Sequence, residues 1–121
     1  MPLTNEEMVY RYFNCIDNKD LDGILDLFNY DAVIHEPFSN IAGGLKGKSS
    51  IEPFLKVVMM ANTSLKHTIK FEKPSGKADS NKITALVTFE KEDKVKGKFT
   101  FEFENAIAGT KKIKSLNIEF L

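Results

Sequence analysis

Four side chains in this sequence are candidates for chemistry: Glu36, Tyr12, His67 and the lone cysteine, Cys15. Glu36 closes the run Tyr30-Asp-Ala-Val-Ile-His-Glu36 and is followed at once by Pro37, so it stands where a short strand must stop. A carboxylate held inward in an apolar cup at that point is placed for general acid–base work. The other reading is a strand-end carboxylate at the rim, bound to nearby N–H groups or to water. Tyr12 shares a helical stripe with Met8 and Ile16, so it points at the core and either pairs its hydroxyl there or lines a pocket. His67 shares an alternating face with Leu65, Ile69 and Phe71. It reads as a core or interface histidine, or as a partner for Glu36. His35 points away from Glu36. Neighbours on a strand face opposite ways, so these two do not share an ion and no metal site is expected. Cys15 reads as a small buried hydrophobe, and a single cysteine forms no intrachain disulfide. Gly43, Gly44 and Gly47 lack the spacing of a phosphate-binding or dinucleotide loop and read as a flexible loop over a pocket mouth, so no cofactor is expected.

The elements that position these groups follow from period and caps. Thr4 to Glu7 is a capping-box pattern that opens a first helix bearing Met8, Tyr12, Cys15 and Ile16 on one stripe, with Val9 and Phe13 beside it. Asn18-Lys19 breaks it, and Asp20 caps a second helix over Leu21 to Phe28. Asn29 to Asp31 reads as a turn, and 32–36 as a strand with Ala32, Ile34 and Glu36 on one face. Ser49 to Glu52 repeats the capping box before Ile51, Phe54, Leu55, Val58 and Met59, a packed-helix spacing that ends near Asn62. From there the period is two. Strands are expected over 65–72, from Ile83 to Glu90, from Val95 to Glu104 and from Lys112 to Leu121. The order is α-α-β-α-β-β-β-β, an α+β architecture with a curved antiparallel sheet against helices.

The bulk numbers bound the rest. A chain of 121 residues is one domain, long enough for a real core. Ten phenylalanines and no tryptophan point to an aromatic core or an apolar pocket. Seventeen basic and seventeen acidic residues cancel, so nothing steers a nucleic acid or an anionic membrane to it. No apolar run spans a bilayer and the start of the chain is no signal peptide, which sets a cytoplasmic expectation.

Arg11-Tyr12-Phe13, Asp20-Leu21-Asp22-Gly23-Ile24, Leu27-Phe28, Asp31-Ala32-Val33 and Glu36-Pro37 together closely resemble the ketosteroid isomerases. They also resemble the wider nuclear-transport-factor-two-like, or SnoaL-like, superfamily. Gly44-Leu-Lys-Gly-Lys with Ile51 and Phe54 is similar to a segment common there. The likeness covers the first third of the chain in motif, and the later strands in order and spacing only. It implies a cone-shaped α+β barrel of the cystatin-like class, with an apolar pocket at its open end, in a homodimer packed through the sheet. In that family the position of Glu36 moves a proton next to a ketone, and the position of Tyr12 hydrogen-bonds the developing oxyanion. Ile16, Phe38, Phe54, Leu55 and Val58 are then expected to line the pocket. So are His67, Phe89, Phe99, Phe101 and Phe120. Two departures stand: the family's base is Asp, one methylene shorter, and its second oxyanion donor falls here on Phe101 or Phe103. Glu102, one residue away, faces the wrong side. The expected activity is a cofactor-free isomerase, cyclase or lyase acting on a small apolar carbonyl compound. The alternative is a non-catalytic ligand-binding or dimerisation module.

Overall fold

The computed structural model describes residues 4–37, 42–61, 66–72, 81–90, 93–105 and 110–121. Helices α1 (Asn5–Asn18) and α2 (Leu21–Leu27) lead into β1 (Phe28–His35), a short β2 (Leu45–Lys46) and α3 (Lys48–Ala61). Strands β3 (Lys66–Phe71), β4 (Lys82–Glu90), β5 (Lys94–Asn105) and β6 (Lys111–Phe120) follow. They form one sheet in the order β2-β1-β6-β5-β4-β3. All neighbours are antiparallel except β1 and β6. Since β2 and β3 are edges, the sheet stays an open cone rather than a closed barrel. No helix among the described residues is long and apolar enough to cross a membrane.

The caps at the start of the chain form as their residues dictate. Thr4 and Glu7 bond reciprocally in a capping box, Lys19 ends α1 in the left-handed region, and the Asp20 carboxylate accepts from the Gly23 N–H to start α2. Three boundaries differ from expectation. Phe28 completes a helical apolar spacing, yet α2 stops at Leu27 and Phe28 is extended, pairing with Ile113 of β6. Asn29 to Asp31 are therefore strand, not turn, and the Asn29 side chain bonds Asp31 and Glu104. The glycine segment is no loose loop: Leu45 and Lys46 pair with Ile34 and Val33, and Gly47 N–H donates to Ala32 C=O at 2.8 Å. Gly44, at φ +79°, lies so close to β1 that a Cβ would come 2.7 Å from Ile34 C=O. Finally, α3 starts at Lys48, with the Gly47 carbonyl taking the Ser50 and Ile51 N–H groups. The Ser49–Glu52 box is thus internal, and Pro53 sits a turn deeper than its first-turn slot.

The sheet alternates as its sequence does. Ala85 and Val87 of β4, Phe99, Phe101 and Phe103 of β5, and Ile113, Leu116 and Ile118 of β6 point into one core with α1 and α3. Ile113 and Leu116 both face inward despite an odd spacing. Phe103 pairs with Ile113 and Glu102 with Ser115, so Lys114 is an extra residue in a bulge. Gly97 is inward too, and a Cβ there would come 2.9 Å from the Phe99 ring, so glycine makes room for the aromatic packing.

Candidate functional site

Tyr12 is held by α1 at the centre of an aromatic cage. Its ring meets Phe13 at 4.9 Å, Phe101 of β5 at 5.5 Å and Phe28 of β1 at 6.3 Å between centroids, all edge to face. The residue is 1% exposed. Burial alone pushes its phenol well above the ordinary tyrosine range, with no hydrogen bond among the causes. No buried polar side-chain atom among the described residues lacks a partner. The phenol is kept protonated, a donor rather than a base.

Glu36 stands one residue past the His35–Asn117 pair that ends the β1–β6 ladder. Alternation gives it the face of Ala32 and Ile34, both fully buried, and it is itself half-buried. His35 is exposed and turned to the other face.

On β3, His67 alternates inward with Ile69 and Phe71. Its ring lies against Phe13 (5.5 Å) and Phe89 (5.1 Å). It pairs with Asp17, in the last turn of α1, with Nδ1 to Oδ1 at 3.1 Å. The imidazole is 6% exposed and the carboxylate 48%. Asp17 was not singled out in the sequence, because nothing local marks it. Only the crossing of α1 over β3 makes the pair.

The β5 side chain facing Tyr12 is Phe101, a hydrocarbon where a second donor would stand. Glu102 points to the opposite face, toward Lys114 (3.8 Å) and the Ser115 hydroxyl (3.4 Å). Of the other residues expected to line a pocket, Ile16, Leu55 and Phe99 are buried in the core and Phe54, Val58 and Phe89 are half-buried. Phe120 is 43% exposed. Phe38 lies outside the described residues. Cys15 is buried, its thiol pushed up first by that burial and then by the Asp20 carboxylate, as befits an inert packing residue. A polar groove of about 500 Å³ runs along the outer side of α1 and α2, between Glu7, Tyr10, Arg11, Asn14, Asn18 and Asp26. Apart from Cys15 it touches none of the side chains singled out above.

No family model and no curated protein matches the sequence. Solved structures do match in fold. An NTF2-like protein of unknown function from Cytophaga hutchinsonii superposes with a TM-score of 0.70 at 12% identity, covering 100% of this chain and 93% of that one. SalBIII is an epoxide hydrolase/cyclase-like enzyme with a role in pyran ring formation in the polyether salinomycin. It matches at 0.66 and 20% identity, over 96% of this chain and 89% of its own. A computationally designed 17-OHP binder matches at 0.64 and 21% identity, over 94% and 90%. The chain has the NTF2-like cone fold. At these identities the likeness is one of fold, and activity must be argued from the side chains.

Proposed function

We propose that the open end of the cone holds a compact apolar carbonyl compound and that Glu36 and Tyr12 enolise it. Glu36 takes the proton beside the carbonyl, and the Tyr12 hydroxyl bonds the oxygen that becomes negative. The observation that carries this reading is a tyrosine kept neutral by burial inside a cage of phenyl rings. The fold neighbours described as a cyclase-like enzyme and as a designed 17-OHP binder support a small-molecule role. Ile34, Leu55, Phe101 and Leu116 have no accessible surface, so no space of water size reaches them. A ligand then goes no deeper than the Tyr12 hydroxyl, which favours one or two rings over a full steroid.

The test is binding of 2-naphthol, a two-ring enolate mimic, followed by its fluorescence. Micromolar binding that weakens about tenfold in Tyr12→Phe, the value of one strong hydrogen bond, is the expected result. Absence of binding overturns the reading. The second reading, a ligand-binding or dimerisation module without chemistry, is favoured by Phe101 at the place of a second donor. It is distinguished by Glu36→Gln. If a ketone whose α-protons exchange in heavy water with the wild type exchanges equally fast with the variant, Glu36 is no base.

A further inference from the structure

We propose that His35 is a positioning residue for Glu36: its imidazole, laid on Gly44, fixes the end of β1 from which the Glu36 side chain starts. The proposal rests on the reading of Glu36 as a base given above. β2 pairs with β1 through Ile34–Leu45 and Val33–Lys46, and one step further along that antiparallel register Gly44 comes opposite His35. A Cβ on Gly44 would stand 2.8 Å from His35 Nδ1 and 3.1 Å from its Cε1, besides its clash with the Ile34 carbonyl. The ring therefore occupies the place that a side chain on Gly44 would take, an aromatic ring covering a cross-strand glycine. His35 is exposed overall, so burial in the core does not hold the ring there.

The strand ladders stop just short of Glu36. On the β6 side the last pair is His35–Asn117. On the β2 side it is Ile34–Leu45, one residue earlier. After Glu36 comes Pro37, which has no N–H to give a neighbouring strand. The ring on Gly44 carries the support on the β2 side one residue further, to the residue that precedes Glu36.

A glutamate makes this support count. Its carboxylate reaches out from the backbone through several side-chain torsions, so a tilt of the strand end is passed on to the oxygens. Displacing a catalytic group by about 1 Å costs on the order of 100-fold in rate, and a strand end that tilts by part of that costs about tenfold. His35 faces away from Glu36 and moves no proton itself. Its effect runs through the backbone, so the flat ring is what matters and not its basicity.

The test is exchange of the α-protons of 2-tetralone, the ketone that 2-naphthol mimics as an enolate, followed by proton NMR in heavy water over a range of ketone concentrations. His35→Ala is expected to lower kcat about tenfold, with KM and the Kd for 2-naphthol unchanged. His35→Phe, which keeps a ring for Gly44, is expected to restore the rate. Gly44→Ala pushes the ring away, so adding His35→Ala to it is expected to slow exchange no further. Three results overturn the proposal: wild-type exchange by His35→Ala, no rescue by His35→Phe, or a loss of naphthol binding as large as the loss of rate, which is general loosening. In each of them the reading of Glu36 survives if Glu36→Gln is slow. A wild type that exchanges no faster than Glu36→Gln removes that reading, and the role of His35 with it.

Discussion

At the scale of single residues, Tyr12 is the informative one. The Tyr12 ring makes three aromatic contacts that phenylalanine would keep without a hydroxyl to bury. Tyr12→Phe is therefore expected to leave urea stability at neutral pH unchanged or to raise it by up to about 1 kcal/mol, while it weakens naphthol binding. Stability and binding moving apart is the mark of a functional group. The alkaline limb adds a second check. The folded-state pKa is raised, so its contribution is full below the unfolded value of about 10 and is lost as pH climbs above it. Wild type should lose stability above that pH more steeply than Tyr12→Phe in equilibrium unfolding at two pH values. The inward direction of Tyr12 was legible from its stripe with Met8 and Ile16, because helical spacing fixes it. That Phe101 faces it was legible only as one of two registers, because the pairing of β5 depends on turns that the sequence leaves open.

At the scale of elements, β1 and the glycine segment set where Glu36 stands. Gly43 and Gly44 both have positive φ, but a Cβ on Gly43 meets only the tip of the Lys46 side chain at 3.5 Å, while one on Gly44 runs into the Ile34 backbone. Gly43→Ala is expected to cost about 1 kcal/mol for strain alone, and Gly44→Ala about 2–3 kcal/mol, with loosening of β2 from β1. Chemical denaturation ranks the two, and equal costs would mean that the close approach to Ile34 is easily relieved. The strands β3 to β6 were readable because Phe, Ile and Val alternate strictly with Lys, Thr and Glu. The start of β1 was not, because Phe28 fits the apolar spacing of α2 as well as it fits the sheet, and Asn-Tyr-Asp carries turn chemistry. The choice is made by Ile113, far along the chain. The Asp17–His67 pair was hidden for the same reason, since no local pattern reports a contact between a helix end and a distant strand.

At the scale of the whole molecule, the cone leaves one face of its sheet uncovered by its own helices. That outer face carries Thr84 hydrogen-bonded to Thr100 across β4 and β5, the half-buried Glu102, Ser115 and Asn117, and Leu86 at 36% exposure. The homodimer expected from the family resemblance would be built on it. Sedimentation equilibrium at micromolar concentration is expected to show a dimer that Leu86→Lys disrupts, since a third ammonium beside the cross-strand Lys70 and Lys98 would be desolvated among like charges. A wild-type monomer would dismiss the interface.

The parallel pairing of β6 with β1 has a consequence in time rather than in space. Among the described strands, β6 alone joins β2-β1 to β5-β4-β3, and it follows the others in the chain. While the chain is being synthesised, the wall carrying Glu36 and the wall carrying His67 exist as two unconnected pieces, each with an unpaired edge. Refolding should accordingly be governed by one long-range closure, slow for a domain of this size, and a chain stopped before Lys111 should have no cup at all.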